Sequence, residues 1–155
     1  MNQVHSNICI HVVLIVKDRA KNILPSFLQG LNKLIYGIID EKGQTPIAVN
    51  GHHEHVHLLF KMKQDCKLSE VVRNIKTVTS RWINENSLSP RKFRWEKGHM
   101  LISCNYFEIE PLVNYINNQD KIHSSTSFGV ENIQLQNNDI FYNEFSESKQ
   151  NVSGF

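Results

Sequence analysis

Hydrophobic positions along the chain follow two different periods, and these periods predict the order of strands and helices. Residues 8–16 form a short, β-branched apolar run that is typical of a buried strand. Apolar residues then recur every three or four positions between residues 24 and 39, and again between residues 68 and 82. The sequence therefore predicts a first strand and two amphipathic helices.

The segments between these helices predict further strands. Residues 45–51, "TPIAVNG", have the pattern of a strand ending in an Asn50-Gly51 turn, which is a strong hairpin signal. The chain would return through "EHVHLLFKM" at residues 54–62. After the second helix, residues 93–105 predict a fourth strand or a bent hairpin.

A third helix is expected over residues 110–123, and Pro111 suits its first turn. The predicted order is strand, helix, strand, strand, helix, strand and an extra helix, so the fold class is α+β. The first six elements follow the ferredoxin-like (split βαβ) pattern, an antiparallel sheet with helices on one face, to which a C-terminal helix is added. We expect one domain over residues 1–143 and a flexible tail over residues 144–155.

Composition is consistent with one soluble globular domain. The 155 residues are 40% hydrophobic and 21% charged, and no apolar run approaches the roughly 20 residues of a membrane helix. Cys9, Cys66 and Cys104 form no CxxC pair, which favours a reduced, cytoplasmic chain. The net charge of +2 is uninformative about nucleic acid, so only local basic clusters bear on it.

Four histidines lie in the segment "GHHEHVHLLF" at residues 51–60. Side chains alternate along a strand, so His55 and His57 point to the same face, and His53 joins them only if the strand begins early. Two imidazoles on one face can share a metal ion. An isolated pair is more often hydrogen-bonded at a sheet surface, so this pattern needs a partner elsewhere.

The third predicted helix offers such a partner. At about 100° per residue, Gln119 and His123 continue the stripe that Leu112 and Ile116 begin, so the helix turns polar groups inward. Tyr115 lies one turn before Gln119 on nearly the same face. Taken alone, these two residues would more often be an aromatic at the edge of the core and a surface amide.

The ordered set of His-Val-His on a strand and Tyr-x-x-x-Gln on a helix resembles the HUH endonuclease superfamily, in which U is a hydrophobic residue. More closely, the chain is similar to insertion sequence 200/605 type transposases, which use one catalytic tyrosine. Besides "EHVHLLF", the resemblance includes "VVLIVKDR" at 12–19, "LSEVVRNIKTVTSRW" at 68–82 and "YINNQ" at 115–119, and it extends over residues 8–143. Glu54 replaces an aspartate that is frequent in the family, and His123 stands where a pair of histidines is common.

The resemblance implies roles for four residues. His55, His57 and Gln119 match the metal ligands, for Mg²⁺ or Mn²⁺, and Tyr115 matches the nucleophile. The implied activity is a DNA transposase that cleaves and rejoins single-stranded DNA through a 5′-phosphotyrosine intermediate. The implied partners are the hairpin ends of a mobile element and a second copy of the chain, with an active site formed within one subunit or between two.

Basic and aromatic residues supply candidate DNA contacts. Phosphate contacts are expected from residues of the second helix and of the segment before the fourth strand, namely Arg73, Lys76, Arg81, Arg91, Lys92 and Arg94. Trp95 and Phe93 are candidates for stacking on unpaired bases. For each of these residues taken singly, a purely structural role, in a solvated charged face or as a core aromatic beside it, is as well supported as a DNA contact. His11 on the first strand is expected to be a packed core histidine.

Two other functions fit part of the pattern. A non-catalytic ferredoxin-like nucleic-acid-binding module would explain the basic helix but not the joint occurrence of the histidine pair, Tyr115 and Gln119. A related HUH nickase acting on repeated chromosomal elements would share the chemistry. Some such nickases use two tyrosines, whereas here Tyr106 precedes the third helix and Tyr142 lies near the C-terminus.

Overall fold

The computed structural model describes residues 8–125, and its elements follow the predicted order. The strands are β1 (Ile8–Val16), β2 (Thr45–His52), β3 (His55–Met62) and β4 (Trp95–Cys104), and the helices are α1 (Pro25–Glu41), α2 (Leu68–Glu85), α3 (Ile109–Asn117) and α4 (Gln119–Ser125). Short 3-10 turns cover Lys17–Arg19 and Tyr106–Glu108. The predicted tail, its boundary at residue 143 and Tyr142 lie outside the described residues.

The four strands form one antiparallel sheet in the order β2-β3-β1-β4. Helix α1 connects β1 to β2, which are not neighbours in the sheet because β3 lies between them. Helix α2 makes the matching connection from β3 to β4. This is the split βαβ arrangement, so the predicted fold class is confirmed.

The two central strands are buried on both faces. On one face, alternate residues of β1 and β3 pack against α1 and α2 in the larger hydrophobic core, to which Val12, Leu14 and Leu58 belong. On the other face, Val13 and Leu59 pack with residues of α3 and α4, including Leu112 and Ile122. The extra C-terminal helices therefore cover the face that α1 and α2 leave open, and the histidines of β3 lie beneath them.

The predicted position of the hairpin turn is wrong, because the observed turn comes three residues later. Asn50 and Gly51 lie within β2, which continues to His52, and the turn falls at residues 53–54. Glycine is required at position 51 by packing, because a Cβ atom there would clash with the backbone carbonyl of His55 and the side chain of Val56. Close strand approach, and not a turn with positive φ, explains this Asn-Gly pair.

The predicted third helix is broken in two. Asn118 leaves helical geometry with φ −110° and ψ 31°, which ends α3, and α4 begins at the next residue. The Asn118 side-chain amide donates to the carbonyl of Asn114 at 2.6 Å, a local bond that competes with the helical backbone. The break retains the predicted inward direction of Gln119, which is fully buried.

Two general expectations can also be compared with the described region. Cys9, Cys66 and Cys104 are free thiols in this structure. Between residues 8 and 125, no helix combines the length and apolar character needed to span a bilayer.

Candidate active site

His55 and His57 project from β3 toward the face covered by α3 and α4. His57 lies opposite Val13 of β1, and His55 lies opposite Ile15. Both histidines are fully buried, and their ring centroids are 5.0 Å apart with the rings nearly perpendicular. His53 lies in the turn before β3 and does not join them.

Tyr115 and Gln119 meet this histidine pair from the C-terminal helices. The Nε2 atom of His55 lies 3.0 Å from Oε1 of Gln119, although the two residues are 64 positions apart in the chain. The ring of Tyr115 approaches that of His57 edge-on, with a centroid distance of 5.4 Å. All four side chains are buried, so the structure brings the predicted nucleophile and ligands together within one chain.

Both histidines of the pair have a polar neighbour on their Nδ1 side. For His55, Nδ1 lies 3.4 Å from Oε1 of Glu54. For His57, Nδ1 lies 2.8 Å from Nε2 of His11. Metal-binding histidines are commonly oriented by such a partner on the second ring nitrogen, which leaves the Nε2 atoms as the ligating positions.

Electrostatics around Glu54 follow from these contacts. Burial alone would raise the pKa of this carboxyl, but the hydrogen bond from His55 and the charges of nearby histidines bring the pKa below its ordinary value. Gln119 and Glu54 both present acceptor oxygens to the ring of His55. The arrangement therefore favours positive charge on this ring or beside it.

A second group of histidines lies next to Gln119. Nε2 of His123 is 3.0 Å from Oε1 of Gln119, and the His123 ring stacks on that of His52 with a centroid distance of 4.8 Å. Burial, followed by repulsion from the neighbouring histidines, lowers the pKa of His52 below its ordinary value, even though Asp120 lies 3.6 Å away. His123 thus completes the inward polar stripe that the helical period predicted.

The donor set around His55 and His57 fits a divalent cation. Across residues 8–125, no cluster of three or more His, Cys, Asp or Glu side chains is arranged to hold a metal ion. A third protein ligand would therefore have to be Oε1 of Gln119, which already lies at hydrogen-bond distance from His55. Two imidazole nitrogens and one neutral oxygen suit Mn²⁺, and water oxygens could complete a shell for Mn²⁺ or Mg²⁺.

The predicted phosphate contacts fall into two groups. Arg73, Arg81 and Arg94 are exposed on the surface, where they are accessible to DNA. Lys76 instead donates to the backbone carbonyls of Glu96 at 2.9 Å and Lys97 at 3.0 Å, and burial lowers its pKa. Lys76 therefore links α2 to β4, and its ammonium is hydrogen-bonded to these two backbone carbonyls.

The predicted stacking residues are part of the core. Trp95 is buried, and its indole nitrogen donates to the hydroxyl of Thr79 at 2.9 Å. Phe93 is buried against it, with ring centroids 4.8 Å apart. The structure thus corrects the expected role of these rings, because neither presents a face to an unpaired base.

Three residues at the site were not assigned to it from the sequence. Glu54 and His11 contact the histidine pair, and Asn50 donates to the carbonyl of Ile116 at 3.1 Å, which fastens α3 to β2. The available signal for His11 was a lone polar residue in the apolar run "ICIHVVLIV". Its partner could not be identified, because the pairing depends on the register of β1 against β3.

Solved structures with the same fold support this description. One is the structure of a REP-associated tyrosine transposase bound to a REP hairpin, with a TM-score of 0.61, 16% identity, and coverage of 81% of this chain and 76% of that chain. Another is the crystal structure of a candidate transposase from Deinococcus radiodurans R1, with a TM-score of 0.59, 16% identity, and coverage of 77% of this chain and 96% of that chain.

Sequence comparison identifies the family. No curated protein matches the chain. The family model described as "Transposase IS200 like" matches residues 4–119, a range that ends on Gln119 and includes the histidine pair and Tyr115. The chain therefore belongs to the IS200-like transposase family.

Proposed function

We propose that this transposase cleaves and rejoins single-stranded DNA through a covalent 5′-phosphotyrosine formed on Tyr115. The observation that carries the proposal is the meeting of Tyr115, His57 and the His55–Gln119 pair in one buried cluster. A non-catalytic binding module would have no use for a tyrosine beside two oriented imidazoles. The family supports transposition as the biological process.

The reaction conserves ester bonds. The hydroxyl oxygen of Tyr115 attacks the phosphorus of a phosphodiester and loses its proton, the bond from phosphorus to the 3′ oxygen breaks, and that oxygen leaves as a 3′-hydroxyl. A second 3′-hydroxyl then attacks the phosphotyrosine, and Tyr115 regains its proton as it leaves. Since one phosphate ester is exchanged for another, the rejoining step needs no ATP.

We also propose that the Nε2 atoms of His55 and His57 and Oε1 of Gln119 hold Mg²⁺ or Mn²⁺. When bound, the cation would supply positive charge to polarise the scissile phosphate and offset charge in the transition state. Glu54 orients His55 for this role from the opposite side of the ring. The amide of Gln119 contributes an oxygen without adding negative charge next to DNA.

Access of DNA to this cluster requires a movement. The four proposed catalytic and ligand side chains are fully buried under α3 and α4, so a phosphate can reach them only if these helices separate from the sheet. The connector at residues 105–108 is suited to such a hinge, since Tyr106 and Phe107 are 73% and 87% exposed. We propose that the helices swing about this connector when DNA binds.

The proposed assembly is a homodimer that binds hairpin DNA. β4 is an edge strand of the described sheet, and edge strands present unpaired backbone groups to a partner. Leu101 of this strand is also half exposed. Binding of hairpin DNA is supported by the similar fold of the hairpin-bound transposase and by the exposed Arg73, Arg81 and Arg94.

The test is capture of the covalent intermediate. The substrate is a pool of hairpin oligonucleotides whose flanking sequences are randomised. Each oligonucleotide carries its label at the 3′ end, because the tyrosine would join the 5′ end of the downstream fragment. Incubation with Mn²⁺ and a denaturing gel should give a labelled protein band. Tyr115→Phe should abolish this band, and Tyr36→Phe, which changes an exposed tyrosine on α1, should retain it. A band that persists in Tyr115→Phe, or no band with the wild type, would refute the proposal.

A further inference from the structure

His11 is an unusual residue for the middle of a central strand. It is fully buried, and its neighbours on the same face of β1 are the apolar Cys9 and Val13. An imidazole transferred from water to such a place costs free energy unless its nitrogens are hydrogen-bonded. A leucine would fill the space without this cost, so the contacts of the ring should explain its presence.

The polar contact of His11 is with one ring of the catalytic pair. Its Nε2 atom lies 2.8 Å from Nδ1 of His57, and the ring centroids are 5.1 Å apart with an interplanar angle of 28°, so the two rings meet edge to edge. When two neutral imidazoles share a hydrogen bond, one nitrogen donates and the other accepts. The direction of this bond decides which nitrogen of His57 keeps a lone pair.

We propose that His11 is a positioning residue, which accepts the Nδ1–H of His57 and thereby holds the tautomer whose Nε2 lone pair is directed toward the metal site. The inference rests on the proposed function, because only a ligating His57 needs this tautomer. It follows that His11 itself carries its proton on Nδ1.

The two catalytic histidines are thus held by chemically different partners. His55 faces the carboxylate of Glu54, whereas His57 faces the neutral ring of His11. A second carboxylate in this buried site would repel an approaching DNA phosphate, and this repulsion is strong where water is excluded. A neutral imidazole fixes the orientation of His57 without that repulsion.

The test compares two substitutions of similar size. His11→Gln keeps an acceptor oxygen near the position of Nε2, and His11→Leu removes the acceptor. Two-bond ¹H–¹⁵N correlation spectra of the metal-free protein at pH 8 should show His57 protonated on Nδ1 in the wild type and in His11→Gln. The same spectra should show a mixture of tautomers in His11→Leu.

Metal affinity gives the second readout. Removing such an orienting partner typically weakens metal binding about 10- to 100-fold. We expect the Kd for Mn²⁺ to rise by about this factor in His11→Leu and to recover in His11→Gln. Cys9→Ala, on the same face of the same strand, should leave the Kd unchanged and serves as the matched control.

Each outcome separates this proposal from the proposed function. Protonation of wild-type His57 on Nε2 would overturn the positioning role even if His11→Leu did not fold. An unchanged tautomer and Kd in folded His11→Leu would overturn it too, while the tyrosine adduct could still form. Complete loss of Mn²⁺ binding in both His11→Leu and His11→Gln would mean that His11 is itself a metal ligand. If His11→Leu changed the tautomer of His57 but the wild type formed no tyrosine adduct on any DNA, only the proposed cleavage chemistry would be refuted.

Discussion

At the scale of single residues, the site is organised by what faces each histidine ring. Glu54 and His11 occupy the Nδ1 sides of His55 and His57, and the Nε2 side of His55 faces Gln119. Directional contacts of this kind cannot be replaced by apolar packing, because they select one nitrogen of each ring. The same close packing brings His52 against His123, so several imidazoles share a small volume.

This crowding predicts a loss of stability in mild acid. Burial and the neighbouring histidines lower the pKa of His52, so the folded protein resists a proton that the unfolded chain accepts below about pH 6.5. The free energy of unfolding should therefore fall as the pH drops from 7.5 to 5.5, and it should fall less in His52→Gln. Urea unfolding at several pH values measures this difference.

In His52→Gln the free energy of unfolding should still fall somewhat between pH 7.5 and pH 5.5, because burial and Lys76 also lower the pKa of His99. Between pH 7.5 and 8.5, where these imidazoles are neutral in both states, stability should be nearly constant in both proteins. If the free energy of unfolding fell equally in the wild type and in His52→Gln, the acid sensitivity could not be assigned to His52.

At the scale of elements, periodicity predicted the helices and strands well and their interruptions poorly. The turn placed at Asn50-Gly51 is wrong because a close approach between β2 and β3, which local sequence does not reveal, requires the glycine. The break at Asn118 was missed because Gln119 and His123 continue the helical spacing of Leu112 and Ile116 across it. For Trp95 the sequence left base stacking and a core role open, and its position on β4 faces the core.

For the site, the sequence identified the side chains whose spacing within one element fixes their direction. The His-x-His pair on β3 is of this kind, and so is the Tyr-x-x-x-Gln spacing, which was predicted on one helix and lies across α3 and α4. The structure brings the two motifs together. The contact between His11 and His57 depends on strand register, and the role of Lys76 depends on how α2 packs on β4. Both are tertiary properties that no local pattern contains.

The contact of α2 with β4 gives a prediction at this scale. Lys76→Met keeps the stem of the side chain but leaves the carbonyls of Glu96 and Lys97 without their charged donor. We expect a loss of about 1.5–3 kcal/mol in the free energy of unfolding, the range for hydrogen bonds that involve charged groups. Chemical denaturation at pH 7.5 measures it.

The matched control is Arg73→Met, an exposed cation one turn earlier on α2. It should leave stability within about 0.5 kcal/mol of the wild type. It should also reduce the salt dependence of binding to hairpin DNA by about one ion, as expected for a phosphate contact. If Arg73→Met lost as much stability as Lys76→Met, the structural assignment of Lys76 would be wrong.

At the scale of the whole molecule, the proposed active site lies between the sheet and two short helices. The histidines are fixed on a strand that is buried on both faces, whereas Tyr115 and Gln119 lie on helices joined to the sheet by the connector at 105–108. Asn50 fastens α3 to β2 through the carbonyl of Ile116. Separation of the histidine pair from Tyr115 and Gln119 would break this hydrogen bond but no strand pairing of the sheet.

The last prediction concerns which subunit supplies the tyrosine. In this structure Tyr115 lies beside His57 of its own chain, so an active site formed within one subunit is expected. A mixture of Tyr115→Phe and His57→Gln proteins, denatured and refolded together, should then form no DNA adduct, because each chain lacks one half of its own site. Wild type refolded with His57→Gln should form an adduct in proportion to the wild-type chains. An adduct in the first mixture would mean that α3 docks on the partner subunit, since only exchange of helices can then bring an intact tyrosine to an intact histidine pair.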